Sequence, residues 1–181
     1  MKKLFWIWAP FVIVVSMVAG LSYLLVQQTL RGDANSPQIQ MAEDAAVRLA
    51  TGEKPELVAA GPTVDIAQSL APYLLITDQN AKPLYGTARL RGVAPTVPSG
   101  VLAYARQSGE YVLTWQPEPG VRQALVVVPR TDTPGYVIAG RSLRVVEARE
   151  HNVLLLTFFV WIFGLLLTLL SSIIQVRLVT K

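Results

Sequence analysis

The 181-residue sequence contains no cysteine and a single histidine, His151. Without cysteine there is no disulfide framework, no thiol catalysis and no cysteine-based metal site. His151 lacks the neighbours that a nucleophile–base pair or a histidine metal site requires, so we expect it to extend toward water at a membrane boundary. The sequence therefore predicts no catalytic residue, no metal site and no cofactor, and the protein is predicted not to be an enzyme.

Carboxylates occur in loose pairs that do not resemble an acid–base site. The pairs are Glu43 with Asp44, Glu53 with Glu56, and Glu147 with Glu150. None has an aromatic pocket nearby in sequence that would raise a pKa for acid catalysis. No phosphate loop or nucleophile elbow is present either, so the carboxylates do not change the non-enzymatic prediction.

Two long stretches lack charge altogether. Leu4 to Val26 is 23 residues without a charged side chain, and Val153 to Val176 is 24 residues without one. Each is long enough to cross a hydrocarbon core of about 30 Å at about 1.5 Å per residue. The sequence therefore predicts transmembrane helices at 4–26 and 153–176. A cleaved signal peptide is the alternative for the first stretch, but its apolar part exceeds the roughly 7 to 15 residues of a signal peptide, which favours an uncleaved anchor.

The basic residues at the two ends predict the orientation. Lys2, Lys3, Arg177 and Lys181 flank the two spans, and short basic flanks favour the cytoplasmic side. We expect residues 1–3 and 177–181 in the cytoplasm and the central segment outside it, as a two-pass protein of the cell membrane. These four residues account for the net charge of +4, so the central segment is neutral and carries no basic stripe for nucleic acid.

The central segment predicts an α+β fold. A polar loop after the first span precedes a short amphipathic helix from Ser36 to about Thr51. The run "YLLITDQNAKPLYG" predicts a hairpin, and "SGVLAYARQSG" predicts a short helix that ends at Gly109. Three further strands, "EYVLTWQ", "VRQALVVVP" and "GYVIAGR", are separated by turn signals. Short turns imply antiparallel neighbours, with helices on one side of the sheet.

The last strand leads into the membrane without a joint. No Gly or Pro occurs between Arg141 and Phe163, and Ser142 can cap a helix. An unbroken helix from Ser142 to Val176 would be about 52 Å long, with a juxtamembrane part at 142–152. Small residues in both spans would let helices approach closely, which suggests a homodimer or a signalling partner; the alternative is that they face lipid or each other within one chain. These residues are Ser16, Gly20, Ser22, Gly164, Thr168, Ser171 and Ser172.

The layout resembles the extracytoplasmic PAS-like or single-Cache sensor domains of bacterial histidine kinases and chemoreceptors. The matching features are the flanking spans, the "LLITDQNAKPLYG" hairpin, the "GVLAYARQSG" helix, the three final strands and the exit through "GYVIAGRSLRVVEARE". The resemblance implies a PAS/Cache-like sheet with flanking helices at 27–141. Such receptors continue into a HAMP linker and a kinase or signalling helix, whereas this sequence ends at Lys181. Two alternatives follow: part of a longer receptor, or a module that signals through a partner.

The resemblance also suggests where a ligand would bind. Domains of this family hold small ligands on the sheet face under the loop and the short helix, and aromatic walls with fixed cations suit a small carboxylate or an amino acid. The alternative is that these strand aromatics belong to the core. The candidate ligand-binding residues are Tyr85, Tyr104, Tyr111, Trp115, Arg122, Tyr136 and Arg141.

We therefore expect a membrane-anchored sensor-like module. It would bind a small ligand or a partner outside the cytoplasm and relay a conformational signal through its second transmembrane helix. The alternative is a structural or assembly subunit of a membrane complex that uses the domain for protein–protein docking. Apart from the lipid bilayer, the expected partners are a small carboxylate or amino acid and a protein bound through the transmembrane helices.

Overall fold

The computed structural model describes residues 2 to 179. Residues Arg31–Val146 form one compact unit, and Met1–Leu30 with Glu147–Lys181 form the other. In chain order the elements are α1 (Lys2–Ala50), α2 (Pro55–Val58), β1 (Val64–Asp65), β2 (Tyr73–Asp78), β3 (Pro83–Gly86), β4 (Ala88–Arg89), α3 (Ser99–Ser108), β5 (Tyr111–Glu118), β6 (Val121–Pro129), β7 (Gly135–Ser142) and α4 (Arg144–Val179).

The Arg31–Val146 unit is built on a five-stranded antiparallel sheet in the order β3-β2-β7-β6-β5. The predicted hairpin is confirmed as β2 and β3, and the three predicted final strands are confirmed as β5, β6 and β7. Asp78 forms the hairpin turn as expected, since its Oδ1 accepts hydrogen bonds from the backbone N–H of Asn80 at 2.8 Å and of Lys82 at 2.9 Å. The α+β class is therefore correct.

Helices cover both faces of this sheet, so the expectation of helices on one side was wrong. On the face covered by α3, here the α3 face, Leu102 and Ala105 join a core that includes Tyr73 and Leu125. On the opposite face, here the α1 face, the second core is formed by residues of α1, α2 and the sheet. The reason is visible in β7, where both alternating sets of side chains are apolar and buried and so require cover on both sides. The α1-face core comprises Ala42, Ala45, Leu49, Val58, Ala59, Leu74, Ile76, Val126, Val137 and Ala139.

A second, two-stranded sheet was not predicted. Strands β1 and β4 pair in parallel, with Val64 opposite Ala88 and Asp65 opposite Arg89. Val64 and Ala88 are buried in the α3-face core. Two strands of two residues carry no periodic signal in a sequence, and this pairing depends on residues more than 20 positions apart.

Helix α1 is uninterrupted from Lys2 to Ala50, so the predicted polar loop before Ser36 was wrong. The Ser36 hydroxyl donates to the carbonyl of Gly32 at 3.1 Å, one turn back, and does not cap a new helix. Pro37 removes one helical N–H donor. That loss is offset by the packing of Ala42, Ala45 and Leu49 on the sheet, because tertiary packing rather than local propensity provides most helical stability.

The two later helices agree with the sequence. Helix α3 ends at Ser108, and Gly109 follows at φ 80°, a conformation that favours glycine. Helix α4 begins at Arg144 and runs to Val179, and the Ser142 hydroxyl accepts a hydrogen bond from the Arg144 N–H at 3.4 Å. The unbroken exit helix is therefore confirmed, with its start two residues later than predicted.

The other unit contains the apolar parts of α1 and α4. The helical segments Lys3–Ala50 and Arg144–Leu178 are long and apolar enough to cross a membrane by length and composition. One of the predicted small residues, Gly164, lies against α1 of the same chain, since a methyl group there would lie 3.2 Å from Cγ1 of Val15. Gly20 behaves differently, because nothing lies within 4 Å of a methyl group placed there.

Two indole groups also join these helices. The Nε1–H of Trp8 donates to Oγ1 of Thr168 at 3.1 Å, and the Nε1–H of Trp161 donates to Oγ of Ser16 at 3.0 Å. In an apolar environment such bonds contribute about 0.6 kcal/mol each on average. They fix which residues of the two helices lie opposite one another.

Candidate functional site

The seven residues predicted to bind a ligand do not share one site. Tyr111, Trp115 and Tyr136 lie on the α3 face, and Tyr104 lies on α3 itself. Strand register places Arg122, Arg141 and Tyr85 on the α1 face. Arg141 pairs with Ala124, and Arg122 lies two residues before Ala124 on the same strand, so both share its face. Tyr85 pairs with Ile76, a residue of the α1-face core. The proposed aromatic walls and the proposed cations are therefore on opposite sides of the sheet.

The aromatic residues on the α3 face pack as core. Trp115 is 8% exposed and Tyr136 is 2% exposed, and both belong to the buried cluster beneath α3. The rings of Tyr104 and Tyr111 pack with centroids 4.4 Å apart. Trp115 and Tyr136 thus fill the interior, the alternative stated from the sequence, whereas Tyr104 on α3 is 54% exposed.

A cation does reach this face, but it is not one of the predicted ones. The guanidinium carbon of Arg106, on α3, lies 5.6 Å from the centroid of the Tyr136 ring. Arg106 is exposed and Tyr136 is buried, and a cation–π contact with an exposed cation contributes about 0.5–1 kcal/mol. Arg106 could not be predicted from local sequence, because it lies on α3 and Tyr136 lies on β7, about 30 residues later in the chain.

The two predicted arginines are exposed on the α1 face. Arg141 uses Nε to donate to the backbone carbonyl of Leu70 at 3.2 Å. The backbone carbonyl of Arg122 accepts a hydrogen bond from the N–H of Leu143 at 2.9 Å, between the end of β7 and the start of α4. Both residues thus border the start of the exit helix.

Of the seven predicted ligand-binding residues, Tyr85 lines a cleft in the described part of the chain. This edge cleft lies beside the edge strand β3, is lined by residues from α2 to β4 and beyond, and has a volume of about 310 Å³. Its polar groups are Glu56, Tyr85 and Arg89. The remaining lining residues are apolar or small: Ala59, Leu75, Pro83, Leu84, Gly86 and Ala94.

Arg89 is held in the edge cleft by backbone carbonyls. Its Nη1 donates to the carbonyl of Gly86 at 3.1 Å and to that of Ala88 at 2.6 Å. The guanidinium has five N–H donors in a fixed fork. Within residues 2–179 no other hydrogen bond is made by Arg89, so Nε and Nη2 keep their donors.

Glu56 and Tyr85 form the second polar pair of the edge cleft. A hydrogen bond from the Tyr85 hydroxyl, assisted by backbone hydrogen bonding and by nearby Lys54, holds the pKa of Glu56 below its usual value. The same hydrogen bond raises the pKa of Tyr85. At neutral pH the cleft therefore presents an ionised carboxylate, a phenol that keeps its proton and a guanidinium.

Gly86 is required at the floor of the edge cleft. Its φ is 155°, and a Cβ there would lie 2.5 Å from the carbonyl oxygen of Leu74 and 2.8 Å from Cα of Leu75. A side chain would push β3 away from β2. The glycine thus keeps both the strand pairing and the carbonyl that holds Arg89.

Sequence reasoning missed Glu56 and Arg89 as site residues. Glu56 follows Pro55 at the start of α2, a helix of four residues that is too short to carry a periodic signal in the sequence. Arg89 is positioned by the β1–β4 pairing, which has no local signature. Only the folded chain brings a carboxylate, a phenol and a guanidinium to one edge of the sheet.

The side chains of the edge cleft can bind charged groups. The described part of the chain contains no group of three or more His, Cys, Asp or Glu side chains that could hold a metal ion. A guanidinium fork recognises a carboxylate, and a carboxylate with a phenol recognises an ammonium or hydroxyl group.

No protein-family model matches the chain, and comparisons with curated proteins and with solved structures found no match either. The resemblance to PAS-like and single-Cache domains therefore rests on the layout of the sequence. The fold itself is established as α+β with a five-stranded antiparallel sheet and helices on both faces.

Proposed function

We propose that the protein is a membrane-anchored sensor module of the PAS-like or single-Cache kind. Its α+β domain binds a small ligand or a partner outside the cytoplasm, and its second apolar helix relays the resulting change across the bilayer. The observation that carries the proposal is the continuity of β7 with α4, because only Leu143 separates the last strand from a 36-residue helix.

The entry helix supports the same role. Helix α1 contributes an apolar stretch at 4–26 and, without interruption, the residues Ala42, Ala45 and Leu49 that pack on the sheet. A flexible tether would isolate the domain from the bilayer mechanically. Two uninterrupted helices suit a domain whose movement is passed on.

Relay requires a ligand that distinguishes two conformations of the domain. Only a difference in affinity between the conformations shifts their populations. The edge cleft lies next to β3 and β2, and β2 is hydrogen-bonded to β7, the strand that leads into α4. Occupation of the cleft can therefore bias the strand from which the exit helix emerges.

Orientation is tested with single cysteines, which the native chain lacks. Gln79→Cys, in the exposed β2–β3 turn, should react with a membrane-impermeant maleimide in intact cells. Thr180→Cys is the matched control, and it should react only after permeabilisation. Labelling of Thr180→Cys but not of Gln79→Cys in intact cells would overturn the proposed topology.

Relay is tested with a pair of cysteines in the two apolar helices. Val15→Cys with Gly164→Cys places two thiols where the helices touch, and the rate of disulfide formation reports on their packing. A mixture of the twenty common amino acids should change that rate in the full-length protein in lipid nanodiscs. Insertion of three glycines between Leu143 and Arg144 should abolish the change and leave binding intact. An unchanged response after the insertion would exclude relay through α4.

A structural or assembly subunit of a membrane complex is the second candidate function. The burial of Trp115 and Tyr136 favours it, since the sheet face that would hold a ligand in related domains is filled by side chains. Purification in mild detergent should then recover a stoichiometric partner that docks on the domain. If the protein is recovered without a partner and binds a ligand, the sensor function is favoured over the structural-subunit function.

A further inference from the structure

We propose that the edge cleft is the ligand site and that it takes a small zwitterion, an α-amino acid with an apolar side chain. The proposal rests on the sensor function proposed above. It differs from the site suggested by the family resemblance, which would lie on the sheet face beneath α3. It uses one residue predicted from the sequence, Tyr85, and two that were not, Glu56 and Arg89.

Opposite charges in one small cleft define the class of ligand. Glu56 and Arg89 both line a volume of about 310 Å³, at the lower end of the range for small-molecule sites. In the described part of the chain, Glu56 and Arg89 do not form an ion pair with each other, and neither forms one with another residue. A ligand that carries both charges satisfies both side chains, whereas a simple anion or cation leaves one of them without a counter-charge.

The carboxylate of the ligand would bind Arg89. Two backbone carbonyls fix the orientation of the guanidinium through Nη1, and the donors on Nε and Nη2 remain available. Those two nitrogens form the edge of the guanidinium that pairs with a carboxylate through two parallel hydrogen bonds. Because the side chain is half-buried and held in advance, it loses little conformational freedom on binding.

The ammonium group of the ligand would bind Glu56. The Tyr85 hydroxyl beside it lowers the pKa of the Glu56 carboxyl, and the ionised carboxylate has lone pairs for further donors. An ammonium group offers three N–H donors, so one can reach the carboxylate and another the phenol oxygen. Tyr85 thereby positions the carboxylate and contributes an acceptor.

The apolar part of the lining selects the side chain of the ligand. Ala59, Leu75, Pro83, Leu84 and Ala94 surround the polar groups, and Leu84 is largely exposed at the rim. An aliphatic group of moderate size would cover this apolar surface and remove it from water. L-leucine is therefore the probe of choice.

Isothermal titration of the full-length protein in detergent micelles tests the charge requirement. L-leucine should bind, whereas 4-methylpentanoate, which lacks the ammonium group, and 3-methylbutylamine, which lacks the carboxylate, should bind at least tenfold more weakly. Equal binding of leucine and either analogue would overturn the zwitterion proposal, and so would a lack of leucine binding.

Variants locate the site. Arg89→Gln and Glu56→Gln should each weaken leucine binding at least tenfold. The matched controls Arg122→Gln and Glu43→Gln remove the same charges from exposed positions outside the cleft and should leave binding unchanged. Loss of binding in Arg122→Gln with none in Arg89→Gln would assign the ligand to the other predicted cation and overturn the proposal.

Selectivity provides a readout that does not depend on the stability of the variant. In Glu56→Gln the preference for leucine over 4-methylpentanoate should fall toward unity, because the counter-charge for the ammonium group is gone. A preference that stays at tenfold or more would show that Glu56 is not the ammonium partner. Failure of these titrations with correct cysteine labelling would reject the cleft ligand and leave the anchored topology standing. Incorrect labelling would reject the sensor function itself.

Discussion

The ring of Tyr73 lies directly over Gly140 on the neighbouring strand, and a Cβ at Gly140 would come within 2.3 Å of the Tyr73 hydroxyl oxygen. The two residues are opposite each other in the β2–β7 pairing. Tyr73 is buried, its hydroxyl has no hydrogen-bond partner among residues 2–179, and burial raises the pKa of that hydroxyl. The Tyr73 ring belongs to the core on the α3 face.

Gly140→Ala should therefore destabilise the domain. The added methyl group would displace the Tyr73 ring from a packed core, at a cost of about 1–3 kcal/mol. Thermal unfolding of the full-length protein in micelles measures the effect as a lower midpoint. Gly100→Ala is the matched control, since nothing lies within 4 Å of a methyl group on this residue of α3, and it should raise stability by about 0.5 kcal/mol. Equal midpoints for the two variants would contradict the Tyr73 contact.

Gln38→Met should stabilise the protein. Gln38 lies on α1 with no exposed surface, and neither its Nε2 nor its Oε1 has a hydrogen-bond partner within residues 2–179. Replacing an unpaired buried amide by an apolar group of similar shape removes a penalty of about 1–3 kcal/mol. The same thermal measurement should show a higher midpoint. Gln107→Met, at an exposed position of α3, is the control and should change stability by less than about 0.5 kcal/mol. A lower midpoint for Gln38→Met would show that the amide makes bonds in the protein.

Asp132→Asn should destabilise the protein at neutral pH and have a smaller effect in acid. Arg130 donates to Asp132 through Nη2 at 2.5 Å and through Nε at 3.1 Å, and this pairing lowers the pKa of Asp132. A carboxyl group with a lowered folded-state pKa stabilises the fold above its ordinary value of 3.8, and the contribution is lost as the pH falls through the folded-state value. We expect a loss of about 1 kcal/mol at pH 7, since the Arg130 side chain is only 6% exposed.

The measurement is the difference in urea midpoint between Asp132→Asn and the native protein at pH 7 and at pH 2.5. Glu118→Gln is the control: its partner Arg91 is 79% exposed, so the change at pH 7 should stay below about 0.5 kcal/mol. A difference for Asp132→Asn that persists undiminished in acid would exclude the ion pair as its cause.

The sequence predicted those elements whose signals are local. Turn residues around Asp78 and the apolar runs on either side predicted the β2–β3 hairpin, and Gly109 predicted the end of α3, because the backbone geometry at these positions depends on the residues themselves. The unbroken helix α4 followed from the absence of Gly and Pro between Arg141 and Phe163. The α+β class followed from the order of these elements.

Local signals failed where distant residues competed with them. Gly32, Ser36 and Pro37 predicted a loop, yet packing of Ala42 and Leu49 on the sheet keeps α1 helical, and the Ser36 hydroxyl bonds back to the carbonyl of Gly32 within the helix. The second covered face of the sheet was likewise missed, because an apolar strand such as β7 does not reveal what covers it.

By itself, the sequence determined that two apolar stretches of 23 and 24 residues bracket a charge-balanced segment without cysteine, since composition and run length need no knowledge of contacts. Only the tertiary structure decided which charged side chains share a face of the sheet or a cleft. Strand register placed Arg122 and Arg141 on the face opposite Tyr111 and Trp115, and the parallel β1–β4 pair brought Arg89 to the cleft of Glu56 and Tyr85. Register is set by packing between residues far apart in the chain, and a shift of one residue would send each side chain to the other face.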